Sequence, residues 1–165
     1  MVTKASNPIP EGFHTLTPHL VCRNARQALE FYKNALGAEI NTISDSPDGR
    51  VLHSQLTIGD SIFMMSEEFP AYGSFSPQSL NGSSVTLHIY TPEPDALFNR
   101  AVAAGAKSVM PMMDAFWGDR YGQIVDPFGH RWSIAARMRV MTPQEMEEEA
   151  KKAFAAADRK KSAGN

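Results

Sequence analysis

The sequence predicts an α+β fold made of two βαβββ repeats, whose strands form a cupped mixed β-sheet, followed by a C-terminal helix. Two observations carry this prediction: the same order of strand and helix patterns occurs twice, and short motifs recur at matching places in both copies. A chain of 165 residues, 42% of them apolar, is long enough for one core and short for two. We therefore expect one domain.

The first repeat begins with an alternating segment from Thr15 to Cys22, which is typical of a half-buried strand. Asn24 offers an N-cap for a helix whose apolar residues recur at helical spacing until Gly37. Turn signals rich in Pro, Asp and Gly separate three further strands, predicted at residues 39–44, 51–58 and 61–66.

The second repeat follows the same order, with a strand at 84–90, a helix at 94–104 and strands at 107–110, 121–125 and 131–136. Matching motifs support the duplication. Thr17-Pro18-His19 recurs as Thr86-Leu87-His88, and Ala28-Leu29 and Gly37-Ala38 recur at one common offset as Ala96-Leu97 and Gly105-Ala106.

These patterns divide the chain into a flexible arm (1–13), a domain (14–140) and a C-terminal helix with a tail (141–165). Within the domain we predict a first half at 14–66, a linker at 67–82 and a second half at 83–140. The long linker carries aromatic residues, so it either only joins the halves or also covers a pocket. The last helix begins with a capping box at Thr142-Pro143-Gln144-Glu145.

Composition excludes several kinds of partner. With 16 basic and 18 acidic residues, the net charge of −2 gives no electrostatic grip on nucleic acid. No apolar run is long enough for a membrane span or a secretory signal, so we expect no membrane association and a cytoplasmic location. The lone Cys22 lies among apolar residues and is interpreted as a small buried hydrophobe rather than a catalytic thiol.

Alternation places a set of polar side chains on the concave side of the strands, opposite the helices: Thr17, His19, Thr86, His88 and Tyr90. The two histidines would act as a general acid and base, would hydrogen-bond a ligand, or would be satisfied within the core. We expect both histidines to face one cavity. Beside Trp117, Arg120 would bind a carboxylate or phosphate while Trp117 stacks on an apolar ligand; the alternative is a structural Asp–Arg pair.

The run from Trp117 to Ile134, WGDRYGQIVDPFGHRWSI, together with the two βαβββ halves, resembles the vicinal oxygen chelate superfamily of glyoxalases and bleomycin-resistance proteins. Within that superfamily the run resembles the PhnB-like branch. The resemblance extends from about Thr15 to Ala136 and implies the glyoxalase/bleomycin-resistance fold.

The resemblance also implies where a catalytic metal would bind, because metal-dependent members take ligands from the first and fourth strand of each half. The matching positions here are Thr17, Met64, Thr86 and Ser133. Hydroxyl and thioether groups bind divalent cations weakly. We therefore expect no metal cofactor; a divalent metal shifted onto His19 and His88 is the less favoured alternative.

The function expected from these features is the binding of a small organic molecule without a catalytic metal. Its predicted contacts are Thr17, His19, Met64, Thr86, His88, Tyr90, Trp117, Arg120 and Ser133. The alternative is a lyase or isomerase of glyoxalase type that uses His19 and His88 as acid and base or as ligands of a shifted metal. By resemblance we also expect a homodimer with two symmetry-related sites.

Overall fold

The computed structural model describes residues 3–163, without the side chains of residues 158 and 160–163. The elements follow the predicted order: β1 (His19–Cys22), α1 (Ala25–Leu36), β2 (Glu39–Asp45), β3 (Val51–Ile58), β4 (Ser61–Glu67), α2 (Pro77–Leu80), β5 (Thr86–Tyr90), α3 (Pro94–Ala103), β6 (Lys107–Asp114), β7 (Asp119–Val125), β8 (Arg131–Arg137) and α4 (Pro143–Ala163). The predicted α+β fold of two βαβββ units and a C-terminal helix is confirmed. The last two residues of the predicted tail lie outside the described residues.

The strands divide between two four-stranded mixed sheets with matching topology. The first has the order β1-β4-β3-β2 and the second the order β5-β8-β7-β6. In the first sheet β1 pairs in parallel with β4, and in the second sheet β5 pairs in parallel with β8. The other strand pairs are antiparallel. The duplication seen in the sequence is therefore a duplication of the sheets.

The first strand is shorter than predicted and begins at His19 instead of Thr15. Pro18 has no N–H to donate to the ladder, and only its carbonyl takes part, as acceptor for the N–H of Met64. Thr17 therefore lies outside the sheet, where its hydroxyl donates to the carbonyl of His14 (3.1 Å). This corrects the expectation that Thr17 points into the cavity from a strand.

Helix α1 begins and ends through two different devices. Asn24 adopts a left-handed conformation and makes no side-chain cap; instead, the Glu67 carboxylate accepts from the N–H groups of Asn24 and Ala25 (both 2.8 Å). An acidic group at this end satisfies orphan donors and complements the helix dipole. Gly37, at φ 72°, ends the helix as predicted.

The two halves share one core. Helices α1 and α3 pack against each other and against their own sheets. Between the halves, the ring of Tyr32 in α1 packs against those of Phe128 and Trp132, at ring-centroid distances of 6.2 and 5.6 Å, and it also contacts Phe63 of its own half at 5.9 Å. The sheet faces opposite the helices remain available for a site. Across residues 3–163, no helix has the length and apolar character needed to cross a membrane.

Candidate functional site

One face of the second sheet collects polar and aromatic side chains in register. His88 of β5 lies opposite Ser133 of β8, which lies opposite Gln123 of β7. The next row holds Tyr90, Ala135 and Tyr121. Because alternate residues of a strand project from the same side, these side chains form one surface. We call it the His88 face and define it by His88, Tyr90, Tyr121, Gln123 and Ser133.

His88 is held in place from three sides. Its Nδ1 lies 2.7 Å from the Oγ of Ser133, and its ring centroid lies 4.4 Å from that of Tyr90 and 6.1 Å from that of Tyr121. Partial burial lowers the pKa of His88, opposed by the charge of Asp119, so the neutral imidazole predominates at neutral pH. An oriented, neutral imidazole suits a hydrogen bond to a ligand or a proton transfer.

The aromatic side of this face is organised by one buried carboxylate. Oδ2 of Asp119 accepts from the hydroxyl of Tyr90 (3.0 Å) and from Nε1 of Trp117 (3.1 Å). Trp117 also makes an edge contact with Tyr121, at a centroid distance of 5.1 Å. The hydrogen bond to Asp119 is the main cause that raises the pKa of Tyr90, so the phenol remains protonated. Asp119 thus fixes two rings beside His88.

A cleft of about 860 Å³ adjoins these rings. We call it the Trp117 cleft. Its lining includes Asp119 and the six residues used to define it here: Tyr90, Trp117, Arg137, Arg139, Met141 and Met146. A second cleft of about 520 Å³ lies on the other side of Tyr90, where His88, Thr86 and Trp132 line it together with residues of the first half. Both volumes fall within the range of small-molecule sites.

The first sheet carries the matching surface, which we call the His19 face and define by His19, His53, Gln55, Met64 and Ser66. His19 lies opposite Met64, which lies opposite Gln55. Nε2 of His19 lies 3.3 Å from the Oγ of Ser66, and the rings of His19 and His53 are 6.0 Å apart. Partial burial, and secondly His53, lower the pKa of His19.

The two histidines occupy equivalent positions, as the repeated Thr-x-His predicts, but they do not face one cavity within a single chain. His19 lines a groove of about 450 Å³ together with Phe75, Pro77 and Leu80 of the linker, whereas His88 lines the 520 Å³ cleft. They belong to separate sheets whose outer strands are not hydrogen-bonded to each other. The prediction of one shared cavity is therefore wrong for an isolated chain.

The positions that hold a metal in related proteins do not fit one here. Thr17 lies outside the sheet, Met64 offers a thioether, and Ser133 is 2% exposed with its hydroxyl engaged by His88. Thr86 is exposed at the start of β5. Among the described residues, no three His, Cys, Asp or Glu side chains converge into a metal-binding group. Hydroxyls and a thioether are poor ligands for a catalytic divalent ion.

Arg120 is a second correction. It alternates with Tyr121 along β7 and therefore points toward the helices. There its guanidinium forms a bidentate pair with Asp95 of α3 (3.0 and 2.6 Å) and a longer contact with Asp114 (3.3 Å). The structural Asp–Arg pair is what the structure contains, because the parity of the strand puts Arg120 away from Trp117 and the cleft.

Sequence reasoning missed several residues of these surfaces. Gln55 and Gln123 recur at matching register positions, and this repeat could have been found by aligning the third strands of the two halves. Asp119, Arg137 and Arg139 are further residues of these surfaces that sequence patterns do not predict. No local pattern predicts their roles, because these roles depend on how the strands pair in the folded chain.

His130, in the hairpin turn between β7 and β8, is 8% exposed. Its Nε2 lies 3.0 Å from the carbonyl oxygen of Val21 and 3.5 Å from the Sγ of Cys22, across the boundary between the halves. Asp126 of the same turn accepts from Tyr32, Trp132 and the backbone N–H groups of Phe128 and His130. The Asp-Pro-Phe-Gly turn therefore joins the halves.

Cys22 is confirmed as a buried residue. Burial raises the pKa of its thiol to about 12, so the thiolate is not populated at neutral pH. Cys22 therefore contributes packing and a weak contact to His130 rather than a nucleophile.

Comparisons with known proteins agree with this architecture. A family model described as the Glyoxalase/Bleomycin resistance protein/Dioxygenase superfamily matches residues 12–134. The Mycobacterium tuberculosis protein Rv0887c is 39% identical over 136 residues, which cover 80% of this chain and 79% of that protein. The crystal structure of the Arabidopsis thaliana protein At5g48480 aligns with a TM-score of 0.60 and 29% identity, covering 76% of this chain and 98% of that one.

A Bacillus cereus structure described as a PhnB protein and putative 3-demethylubiquinone-9 3-methyltransferase aligns with a TM-score of 0.57 at 22% identity, covering 74% of this chain and 99% of that one. At this identity the likeness concerns the fold. The matched range of the family model ends at residue 134, before the residues of the Trp117 cleft that follow β8.

Proposed function

Because this chain belongs to the glyoxalase/bleomycin resistance protein/dioxygenase superfamily, we propose that it uses the glyoxalase fold to bind a small organic molecule without a catalytic metal. The ligand would lie against the ring of Tyr90, which separates the cleft lined by Trp117 from the cleft lined by His88. Polar contacts from the His88 face would orient it.

The observation that carries this proposal is the aromatic cluster around Asp119. Tyr90 is 63% exposed although its hydroxyl is fixed to Asp119, so its ring forms a rigid, accessible wall between two clefts. Rigid aromatic side chains bind apolar molecules with little loss of conformational entropy. The substitutions at the four metal positions support the same conclusion, since the donors present there are weak.

A thermal-shift screen with aromatic compounds tests the proposal. A ligand that binds only the folded state raises the melting temperature in proportion to the logarithm of its concentration. The best compound should bind about tenfold more weakly to Tyr90→Ala, a loss of about 1.4 kcal/mol. Tyr72→Ala is the matched control, because Tyr72 is 88% exposed in the linker and lines neither cleft.

Binding should also be unchanged after exhaustive treatment with a metal chelator. No stabilisation across a broad aromatic library, or binding that disappears with chelation, would contradict the proposal.

The arrangement of His88 favours one second candidate, a lyase or isomerase of glyoxalase type. Its Nδ1 is engaged by Ser133, and its Nε2 has no hydrogen-bond partner within residues 3–163, so a neutral imidazole is available for acid–base chemistry. Turnover of a thiol adduct of an α-oxoaldehyde would support this candidate if it were lost in His88→Ala and retained in His53→Ala. Absence of turnover by the wild-type protein would leave the binding function alone.

We also propose that the chain forms a homodimer. The support is that one chain presents the His19 face and the His88 face at different clefts, while the outer strands β1 and β5 leave their edges without strand partners in the described residues. A second copy would cover such edges. Light scattering that gave the mass of one chain at micromolar concentration would contradict this.

A further inference from the structure

The Trp117 cleft contains an unbalanced positive charge. Arg137 and Arg139 both line it, and neither forms an ion pair within 4 Å among the described residues. Arg137 lies opposite Asp119 in the β7–β8 register, where a cross-strand ion pair would be expected. Instead, the Asp119 carboxylate accepts from Tyr90 and Trp117. The guanidinium of Arg137 is left for another partner.

Backbone contacts fix the two arginines relative to the tryptophan. The carbonyl of Gly118 accepts from the N–H groups of Met138 and Arg139 (both 2.9 Å), which ties the turn carrying Trp117 to the segment that follows β8. Gly118 adopts a φ of 98°, and a Cβ there would lie 2.9 Å from the carbonyl oxygen of Arg139. The close approach needs glycine. The charged and aromatic walls of the cleft are therefore held together before any ligand arrives.

The third wall is apolar and comes from the C-terminal helix. Thr142 and Glu145 form the predicted capping box: the hydroxyl of Thr142 accepts from the N–H of Glu145 (3.2 Å), and the Glu145 carboxylate accepts from the N–H of Thr142 (2.8 Å). This cap starts α4 at Pro143 and places Met146 in the cleft opposite Trp117, beside Met141. Methionine adapts to flat ligands of varied outline.

Acidic groups balance only part of this charge. Asp119 is buried and hydrogen-bonded, and Glu145 and Glu149 lie on the outer side of Arg139, in a separate depression. The hydrogen bond from Lys152 is the main cause that lowers the pKa of Glu149; the charge of Arg139 adds to it without an ion-pair contact. Within the cleft itself, two guanidinium groups face one carboxylate.

From this arrangement we propose that the Trp117 cleft binds organic anions with a planar apolar body, with Arg137 and Arg139 on the carboxylate or phosphate group and Tyr90, Trp117 and Met146 on the ring. The inference rests on the proposed binding function and specifies its ligand class. Guanidinium groups recognise both carboxylate and phosphate through paired N–H donors. Four residues of this site, from Arg137 to Met146, lie beyond the range matched by the family model.

Calorimetric titration with 2-naphthoate and the neutral 2-naphthalenemethanol tests the proposal on the full chain. The two probes share a ring system, so a difference between them measures the contribution of charge. We expect 2-naphthoate to bind about tenfold more tightly to the wild-type protein, since hydrogen bonds to charged groups are among the stronger ones. Raising the ionic strength should weaken 2-naphthoate and leave the alcohol unchanged.

In Arg137→Gln/Arg139→Gln the advantage of 2-naphthoate should disappear, while the alcohol binds as before. Both arginines are exposed, so this variant is expected to fold, and its melting temperature without ligand provides the check. Arg26→Gln/Arg50→Gln is the matched control: it removes two positive charges from exposed ion pairs with Asp45 and Asp48, away from the cleft. There the preference for 2-naphthoate should persist.

The outcomes separate the inference from the function on which it rests. If both probes bind the wild-type protein equally and both weaken in Tyr90→Ala, the binding function stands and the anion site is wrong. If neither probe binds, the anion site is wrong, and the screen of the aromatic library decides the binding function separately. A further titration with 2-naphthyl phosphate distinguishes the sources of the anion: tighter binding than 2-naphthoate identifies phosphate esters, weaker binding identifies carboxylates, and either result above the alcohol supports the proposal.

Discussion

The sheet faces of the two halves can be compared position by position. Both carry a histidine on the outer strand and a glutamine two strands away, at matching register positions. Between them, Met64 in the first half corresponds to Ser133 in the second. Two residues further along their strands, Val21 and His53 of the first half correspond to Tyr90 and Tyr121 of the second.

These exchanges produce different surfaces on the same frame. The hydroxyl partner of His19 comes from Ser66 at 3.3 Å, whereas that of His88 comes from Ser133 at 2.7 Å, directly opposite in register. Two tyrosines flank His88, and Asp119 fixes one of them together with Trp117. The duplicated frame therefore positions a histidine in each half, but only the second half surrounds its histidine with rigid aromatic side chains.

We expect the largest effect on stability outside both faces, at the buried hydrogen bonds that join the two halves inside the shared core. Asp126→Ala removes the acceptor for Tyr32, Trp132 and two backbone N–H groups and leaves buried donors without partners. Each such donor costs about 1–3 kcal/mol, so the free energy of unfolding should fall by about 3 kcal/mol or more. Chemical denaturation measures it, with Asp45→Ala in an exposed ion pair as the control. A change below 1 kcal/mol at Asp126 would show that the junction does not hold the halves together.

The two histidines should contribute differently to the affinity for a ligand. We expect His88→Ala to weaken the best compound of an aromatic screen about tenfold, because it removes both a polar contact and the support of Tyr90. His19→Ala should leave affinity unchanged within about twofold, since His19 lines a different groove. Titration calorimetry of the two variants checks this. Equal losses in both would indicate one composite site and favour a dimer that brings the two faces together.

Acid stability should depend more on the histidine between the halves than on either face. Burial lowers the pKa of His130 below its ordinary value of 6.5, although nearby Asp126 opposes the shift. Below pH 6.5 the unfolded chain takes up a proton at His130 that the folded chain does not. The contribution of His130 to the free energy of unfolding is therefore complete above that pH and decreases as the pH falls toward the folded-state pKa.

In His130→Gln the free energy of unfolding should decrease less steeply as the pH falls. The slope should change by at most the equivalent of one bound proton, about 1.4 kcal/mol per pH unit. His19→Ala and His88→Ala should flatten it less, because these less buried histidines have pKa values lowered in the same direction. Denaturation midpoints between pH 5 and pH 7 measure the three slopes. An unchanged slope in His130→Gln would mean that the pKa of His130 is the same in the folded and unfolded states, which would contradict the prediction.

The comparison also shows which features a sequence can predict. Alternation, helical spacing and turn residues are local, and they located both repeats and most strand boundaries to within one residue, including residues 51–58 as observed. β1 begins four residues later than predicted, and β6, predicted at residues 107–110, continues to Asp114. The doubled Thr-x-His located both histidines on sheet faces for the same reason. The separation of the sheets depends on packing between halves, which no local pattern encodes, so the single shared cavity was predicted wrongly.

Arg120 and Thr17 illustrate two other limits. The side on which Arg120 projects depends on where β7 begins, and the strand starts at Asp119, two residues before the predicted start. The strand begins only after Pro18, so Thr17 does not take part in the alternation. The effect of the missing N–H of Pro18 depends on which strand lies beside it, and the sequence does not show that. Arg137 ends β8 and Arg139 follows it, and their place in the cleft depends on the contact of this segment with Gly118, which is distant in sequence.

The smallest expected effect concerns the serine that distinguishes the His88 face. Ser133→Ala removes the hydroxyl bonded to His88 without opening the backbone ladder, and we expect a loss of about 1 kcal/mol in the free energy of unfolding. Ser66→Ala, at the longer contact to His19, should cost less. Nitrogen chemical shifts of the two imidazoles provide the sharper measurement: Nδ1 of His88 should respond to Ser133→Ala, and Nε2 of His19 to Ser66→Ala. If Ser133→Ala leaves the Nδ1 shift unchanged, His88 is oriented by the two tyrosines alone, and the aromatic walls account for the whole difference between the halves.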